Sequence, residues 1–467
     1  MRYISTRGTA PDLGFDDVLL TGLARDGGLY VPADWPRFSA AEWREMRGLS
    51  YDELAARVCS PYLGDAIDED DFADMAADAY SGFDHDAVAP LKQLSGDTWL
   101  MELFHGPTLS FKDYALQLVG RMFDHVLTRR GERICIVGAT SGDTGSAAIE
   151  ACRDRDAVDI FIMHPYQRCS DVQRRQMTTI QATNVHNIAV DGTFDDCQDL
   201  VKAMFNDMAF RDQMHLSAVN SINWARIMCQ IVYYAHAALS LGAPDREVSF
   251  AVPTGNFGNV FAAYAARQMG LPIGQLIVGA NENDILSRFF NANDMSMQTV
   301  VPTLSPSMDI QVSSNFERLL FELMDRDGPA VAHLMQTFRA SGKLDLDRER
   351  WQRALQLFSA HRLSNDECRA AMKAVLESTG ELVDPHSAIG VVAGWTRRQD
   401  PAVPLVVAAT AHPAKFPDSV EEATGTRPQL PPRLSDLFER EERYERLPNT
   451  LNAIQEFVRG SNRAGQQ

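Results

Sequence analysis

One lysine in this chain stands where lysines are uncommon. Residues 102–114 read E-L-F-H-G-P-T-L-S-F-K-D-Y. A turn at Gly106-Pro107 delivers the chain to Ser110, and Asp113 follows three residues later. A serine followed at that spacing by an acid, ahead of an apolar-periodic run, predicts a capping box with Ser110 as N-cap. Lys112 then falls in the first helical turn, where the positive end of the helix dipole depresses the pKa of an amine. Phe111, Ala115, Leu118 and Met122 form one apolar stripe, and Leu116, Val119 and Phe123 a second. The helix is therefore expected to bury much of its circumference. An easily neutralised amine is a nucleophile, and at a buried helix mouth it suits a Schiff base to an aldehyde cofactor. The ordinary alternative is a solvated lysine, and the apolar neighbours argue against it.

Two small-residue loops could hold anions. Residues 133–137 read as a short strand that runs into Gly138-Ala139-Thr140-Ser141-Gly142-Asp143-Thr144-Gly145, with a helix from Ser146. Strand, small loop, helix is how backbone N–H groups and a helix dipole are gathered around an anion, although Gly and Ser also serve simply to turn a chain. It is not a Walker loop, because no Gly-Lys-Ser/Thr follows. Residues 247–252 form a second strand, followed by Pro253-Thr254-Gly255-Asn256-Phe257-Gly258-Asn259 and an apolar helix over 260–269. This loop contains no Lys or Arg, so a phosphate there would be held by dipoles. Asn220 to Arg226 opens a long helix reaching Leu241; Arg226 is either a solvated helix residue or a forked donor for an anion. Thr410-Ala411-His412-Pro413-Ala414-Lys415-Phe416 follows a buried strand over 405–409, at the edge where open parallel sheets bind ligands. Asp384 caps a helix beginning Pro385-His386-Ser387-Ala388, and His386 is read as structural.

The elements that must position these groups alternate. Strands over 159–163, 185–190 and 275–280 are interleaved with helices over 171–179 and 195–205, which predicts an α/β fold with parallel pairing and right-handed crossovers. Residues 1–90 are expected to form an amino-terminal domain, with Asp26-Gly27-Gly28-Leu29-Tyr30-Val31-Pro32 as a turn and acidic-faced helices over 51–58 and 70–80. Residues 91–425 are expected to form the α/β core that carries these groups, with a smaller subdomain at about 120–210 inserted in the larger one. Within it, 316–378 reads as a peripheral helical layer. Residues 426–467, with Pro431-Pro432 and many Glu and Arg, read as a solvated tail packing on the core.

Composition narrows the partners. The 467 residues carry a net charge of −19, which disfavours nucleic acid and anionic membranes and obliges an anion site to make its own positive field. Seven cysteines at 59, 135, 152, 169, 197, 229 and 368 form no C-x-x-C pair, which predicts reduced, mostly buried thiols. The first residues contain no apolar leader segment and no later run is long enough to span a bilayer, so the protein is expected in the cytoplasm.

Residues 104–113, F-H-G-P-T-L-S-F-K-D, closely resemble the pyridoxal-phosphate lysine motif of the threonine synthases, within the tryptophan-synthase-β-like, fold type II family. D-G-G-L-Y-V-P, S-G-D-T-G, S-I-N-W-A-R, G-N-F-G-N, S-M-D-I-Q, D-P-H-S-A and T-A-H-P-A-K-F resemble further segments of that family in the expected order. The resemblance implies a fold type II enzyme with two open, largely parallel sheets and pyridoxal 5′-phosphate on Lys112. Gly255, Asn256, Phe257, Gly258 and Asn259 would cup the cofactor phosphate, Asp143 would face its ring hydroxyl, and the Thr410 hydroxyl would meet its pyridine nitrogen. Thr140, Ser141, Gly142 and Thr144 would hold the substrate carboxylate, with Arg226, His412 and Lys415 seating a substrate phosphate. The reaction implied is γ-elimination of phosphate from O-phospho-L-homoserine and addition of water at Cβ, giving L-threonine. Two alternatives stand beside it: a phospholyase of the same family releasing phosphate and a 2-oxo acid, and a non-catalytic phosphate-binding α/β protein. A small-molecule substrate, no metal, and a monomer or homodimer are expected.

Overall fold

Among the residues described by the computed structural model, 1–218 and 221–463, two open sheets carry the architecture. Asn220, at the start of the polar run before Arg226, lies outside the described residues. The larger sheet has six strands in the order Phe358–Arg362, Ile273–Ala280, Val248–Pro253, Leu405–Ala409, Thr98–Glu102, Leu91–Gln93. Its neighbours run parallel except for the last pair. The smaller sheet runs Glu445–Pro448, Val185–Asp191, Val158–Pro165, Ile134–Ala139, Leu216–Ser217, all parallel. Every residue of Val248–Pro253 and Leu405–Ala409 is buried, as β-branched and small apolar runs are when helices cover both faces of a parallel sheet.

The lysine helix, Lys112–Arg130, ends at Gly131 in the left-handed region with φ 66°. It lies against Asp143–Cys152 and against Trp224–Ser240, a helix buried over nearly its whole circumference. Gly120 sets the first of these approaches, because a Cβ there would collide with the carbonyl of Ala151. At the amino terminus Tyr3–Ser5 pairs antiparallel with Tyr30–Pro32. The Asp26 carboxylate ties this turn by accepting from the Gly28 and Ala10 N–H groups at 2.9 Å. Buried Arg318 donates to the Tyr30 carbonyl at 2.9 Å and the Ile222 carbonyl at 2.6 Å. The amino-terminal turn thus braces the segment leading to Arg226.

Two expectations are corrected. The stretch 316–378 is not a purely helical layer, because Phe358–Arg362 forms the edge of the large sheet, paired with Ile273–Ala280. Its alternating burial is that of an edge strand with one covered face. The carboxyl-terminal stretch is also more than a solvated tail: Glu445–Pro448 adds a strand beside Val185–Asp191, and Leu451–Ser461 buries Ile454 and Val458 against Phe161 and Val190. Dense charge on the outer face of that segment hides its few core positions in the sequence.

Candidate active site

The central strand Leu405–Ala409 ends where the lysine helix begins. The Phe111 N–H donates to the Thr410 carbonyl at 2.9 Å and the His412 N–H to the Leu109 carbonyl at 3.0 Å. This pairing, with Ser110 opposite Ala411, replaces the expected capping box. The helix starts at Lys112 itself, after Phe111, without a side-chain cap. Ser110 is drawn into the two-stranded contact, and its buried hydroxyl has no partner. The Asp113 carboxylate turns back to the Thr108 N–H at 2.8 Å and the Thr108 hydroxyl at 2.6 Å. The sequence signal was a cap; the tertiary contact took its serine.

Lys112 is 8% exposed. Burial pushes its pKa down, against the upward pull of Asp143, and Lys415 and Arg226 depress it further. Its Nζ lies 3.4 Å from Asp143 Oδ2. The other carboxylate oxygen of Asp143 forms an ion pair with Lys415 Nζ at 3.0 Å and accepts from Gln173 Nε2 at 2.9 Å, and Ser307 Oγ donates to Oδ2 at 3.2 Å. Burial raises the pKa of Asp143, yet Lys415 and Lys112 outweigh it and hold the carboxyl well below the usual range. Lys415 is wholly buried and donates as well to the Thr108 carbonyl at 2.6 Å and Gln176 Oε1 at 3.0 Å. Its ammonium is anchored by the protein, so it acts through its field and through Asp143.

In the first loop the Thr140 hydroxyl accepts from the N–H groups of Gly142 and Gly145, both at 2.9 Å. Gly142 has φ 146°, and a Cβ there would lie 2.5 Å from the Gln173 amide carbon. Thr140 and Gly142 therefore shape the loop, while Ser141 and Thr144 are partly exposed donors. In the second loop Phe257 takes φ 63°. The Gly255 carbonyl accepts from Ser313 Oγ at 2.7 Å and the Asn256 carbonyl from the Asn315 N–H at 3.1 Å. With those carbonyls engaged, the N–H groups opening the helix Gly258–Gln268 are left for a ligand. Asn259 directs Oδ1 to the hydroxyls of Tyr233 at 2.5 Å and Tyr234 at 2.7 Å, and its buried Nδ2 has no partner.

Arg226 is 3% exposed, and its Nε and Nη1 are buried without partners. Burial lowers its pKa to about 10, and no carboxylate opposes that shift. His412 is pushed down to about 4 by burial and by His105, so it is neutral at physiological pH. Its Nδ1 accepts from the Ala414 N–H at 3.1 Å, which leaves the proton on Nε2 as a donor. Thr410 offers its hydroxyl beside this group, with its N–H bonded to Ser387 Oγ at 3.2 Å. Two buried lysines thus share the Asp143 carboxylate, while Arg226 stands buried with no carboxylate partner.

Three family models match the chain: "Threonine synthase N terminus" over residues 2–80, "Pyridoxal-phosphate dependent enzyme" over 85–344, and "Threonine synthase, C-terminal" over 387–458. Threonine synthase of Pseudomonas aeruginosa is 60% identical over 459 residues, covering 98% of each chain. This chain belongs to the threonine synthase family of pyridoxal-phosphate-dependent enzymes. Among solved structures, threonine synthase of Brucella melitensis superposes with a TM-score of 0.98 at 56% identity, covering 99% of this chain and 100% of that one. The yeast threonine synthase gives 0.93 at 37% identity, with 98% of each covered. The human protein "Threonine synthase-like 2" is 34% identical, over 95% of this chain and 93% of that one.

The residues of this threonine synthase fold suit the family's cofactor. A neutral glycine cup, the unpartnered donors of Arg226 and Asn259, and a buried amine of depressed pKa together ask for a molecule with an anionic group and an aldehyde. Sequence reasoning missed Thr108, Gln173 and Gln176, which hold Asp143 and Lys415. The only trace of them is that Gln173 and Gln176 lie three apart on one short helix, Asp171–Thr178, a spacing that surface helices share.

Proposed function

We propose that this threonine synthase acts on O-phospho-L-homoserine, with Lys112 as the amine that holds the cofactor and carries protons. Gly255, Asn256, Phe257, Gly258 and Asn259 would seat the cofactor phosphate, Asp143 its ring hydroxyl, and Thr410 its pyridine nitrogen. When bound, pyridoxal phosphate supplies a conjugated electron sink for an α-amino acid that loses its α-proton. Lys112 would take that proton on Nζ, and burial, which lowers its pKa, favours the neutral amine that a base requires. Ser141 and Thr144 would bind the substrate carboxylate, with Thr140 and Gly142 shaping their loop. Arg226 and the Nε2 proton of His412 would receive the departing phosphate, whose charge grows as the C–O bond breaks, with Lys415 contributing its field.

The observation that carries this reading is the pairing of buried Lys112 and Lys415 with the Asp143 carboxylate, beside a buried Arg226 whose Nε and Nη1 have no partner. A buried guanidinium without a carboxylate partner calls for an anionic ligand to offset it. In this reading the protein is a cytoplasmic monomer or homodimer with a small-molecule partner. Residues 1–90 brace the site, 91–425 carry it, and 426–467 complete the smaller sheet. Among the described residues no helix is long and apolar enough to cross a membrane. The test is incubation with O-phospho-L-homoserine, analysing for phosphate, L-threonine and 2-oxobutanoate, together with borohydride labelling. Stoichiometric threonine and a label on the peptide containing Lys112 are expected. Phosphate with 2-oxobutanoate alone would transfer the assignment to a phospholyase, and a colourless, unlabelled protein would remove Lys112.

A further inference from the structure

One buried acid–histidine pair beside this site has no part in the reading above. Asp384, fully buried, opens the helix Pro385–Arg397. Its Oδ1 accepts from the Ser387 N–H at 3.0 Å and from the Ser387 hydroxyl. Its Oδ2 accepts from the His386 N–H at 3.0 Å and from His386 Nδ1 at 2.6 Å. A carboxylate only accepts, so this contact keeps a proton on Nδ1 and leaves Nε2 as the exchanging nitrogen. His386 is 3% exposed, and that Nε2 is buried with no hydrogen-bond partner. A histidine kept only to brace Asp384 needs Nδ1 alone, and burying an unsatisfied second nitrogen is a cost.

Its surroundings are those of the site. Ser387 Oγ receives the N–H of Thr410 at 3.2 Å, so the pair is joined to the end of the central strand. The His386 ring packs 5.0 Å from that of Phe416, the residue after Lys415. Asp143 and Asp309 both lie near enough for a positive ring to stabilise their carboxylates. Asp309 belongs to the segment from which Ser307 reaches Asp143.

The chemistry has an unfilled role there. A phosphate monoester dianion that simply loses its carbon would depart as a trianion, so a proton must reach the leaving oxygen. Arg226 does not give one up at working pH. Lys415 is tied to three acceptors. In the second half of the reaction, water must lose a proton as it adds to the neighbouring carbon.

We propose, on the reading that O-phospho-L-homoserine is the substrate, that His386 Nε2 is the catalytic acid–base at the phosphate end of the site. As the Cγ–O bond breaks, its electron pair goes to the phosphate oxygen, which takes the Nε2 proton and leaves as hydrogen phosphate. Water then adds at Cβ and its proton returns to Nε2. The proton given first is the one recovered second, so phosphomonoester and water become threonine and hydrogen phosphate with no further donor. Carbon-bound protons pass through Lys112. Asp384 and Ser387 are positioning residues that fix the ring.

The test uses holoenzyme carrying His386→Asn, which keeps an amide N–H for Asp384 and lacks Nε2, and His386→Gln, which places a non-titrating amide near the Nε2 position. Incubation with O-phospho-L-homoserine in deuterated water separates exchange of the α-proton from release of phosphate. Exchange is expected within about threefold of wild type while phosphate release falls about 100-fold or more, the usual weight of a positioned acid–base. Phosphate release within about tenfold of wild type, or a loss matched by an equal loss of exchange, would overturn the role. In wild-type holoenzyme the His386 ring resonance should also shift on adding inorganic phosphate, and an unmoved resonance counts against the proposal whatever the variants do. A wild-type enzyme that exchanges no α-proton and releases no phosphate from this substrate would instead remove the substrate reading.

Discussion

Replacing Asp143 by Asn tests the charge arrangement directly. The substitution keeps shape and hydrogen-bonding capacity but removes the carboxylate that pairs with Lys112 at 3.4 Å and Lys415 at 3.0 Å. Breaking one partner of a buried ion pair costs about 3–5 kcal/mol, because the other charge stays buried. Cooperative unfolding of 467 residues, at about 2.1 cal/mol/K per residue, has an entropy near 1 kcal/mol/K, so Tm of the cofactor-free protein should fall by about 3–5 °C. The double variant Asp143→Asn with Lys415→Met should lose about 1–3 kcal/mol less than the sum of the two single losses, since the stranded ammonium is gone. The pH dependence has a definite sign. The Asp143 pKa is depressed in the native state, so its stabilisation is present above the unfolded carboxylate value of about 3.9 and is lost only as pH falls through the lower folded value. The Tm gap should therefore be constant from pH 8 to pH 5, read by scanning calorimetry on cofactor-free protein. A gap under about 1 °C, or one already closed at pH 5, would show that Asp143 is not the ionised hub described.

Arg226→Met should raise the Tm of cofactor-free protein slightly, because an unpaired buried guanidinium is replaced by an apolar side chain, while weakening binding of inorganic phosphate about tenfold or more, measured by calorimetric titration. A fall in Tm of more than about 2 °C would mean that Arg226 has a structural partner. Gly255→Ala should weaken cofactor binding about tenfold, followed by absorbance, since its Cβ would sit 3.0 Å from the Ser307 carbonyl oxygen and 3.1 Å from Met308 Cα, backbone that must move with the cup. Cofactor-free protein should also gain stability as pH rises from the lowered pKa of Lys112 towards the ordinary lysine value, because there the unfolded chain binds a proton that the native state does not. Lys112→Met should flatten that segment of the Tm profile, and an unchanged slope would assign it to another group.

Much of this protein is determined by local sequence. Strand–glycine loop–helix units, a lysine at the head of an apolar helix and turn residues ahead of Asn259 all act over a few positions, so their elements are legible one at a time. Their order also carries the family likeness. What the sequence does not contain is who meets whom across the sheet edges. Ser110 reads as a cap, yet the strand end at Ala411 claims it. Lys415 reads as a phosphate cation, yet Thr108, Gln176 and Asp143 surround it. Phe358–Arg362 is short and half covered and Glu445–Pro448 is short and mostly exposed, and only a waiting neighbour makes them strands. Electrostatics depends most on tertiary structure, because the pKa of an amine or carboxyl is set by burial and by charges brought near from distant positions. In a chain of net charge −19, folding brings Lys112 and Lys415 to Asp143 and buries Arg226 near Lys112 without a carboxylate partner, in a medium that water does not screen.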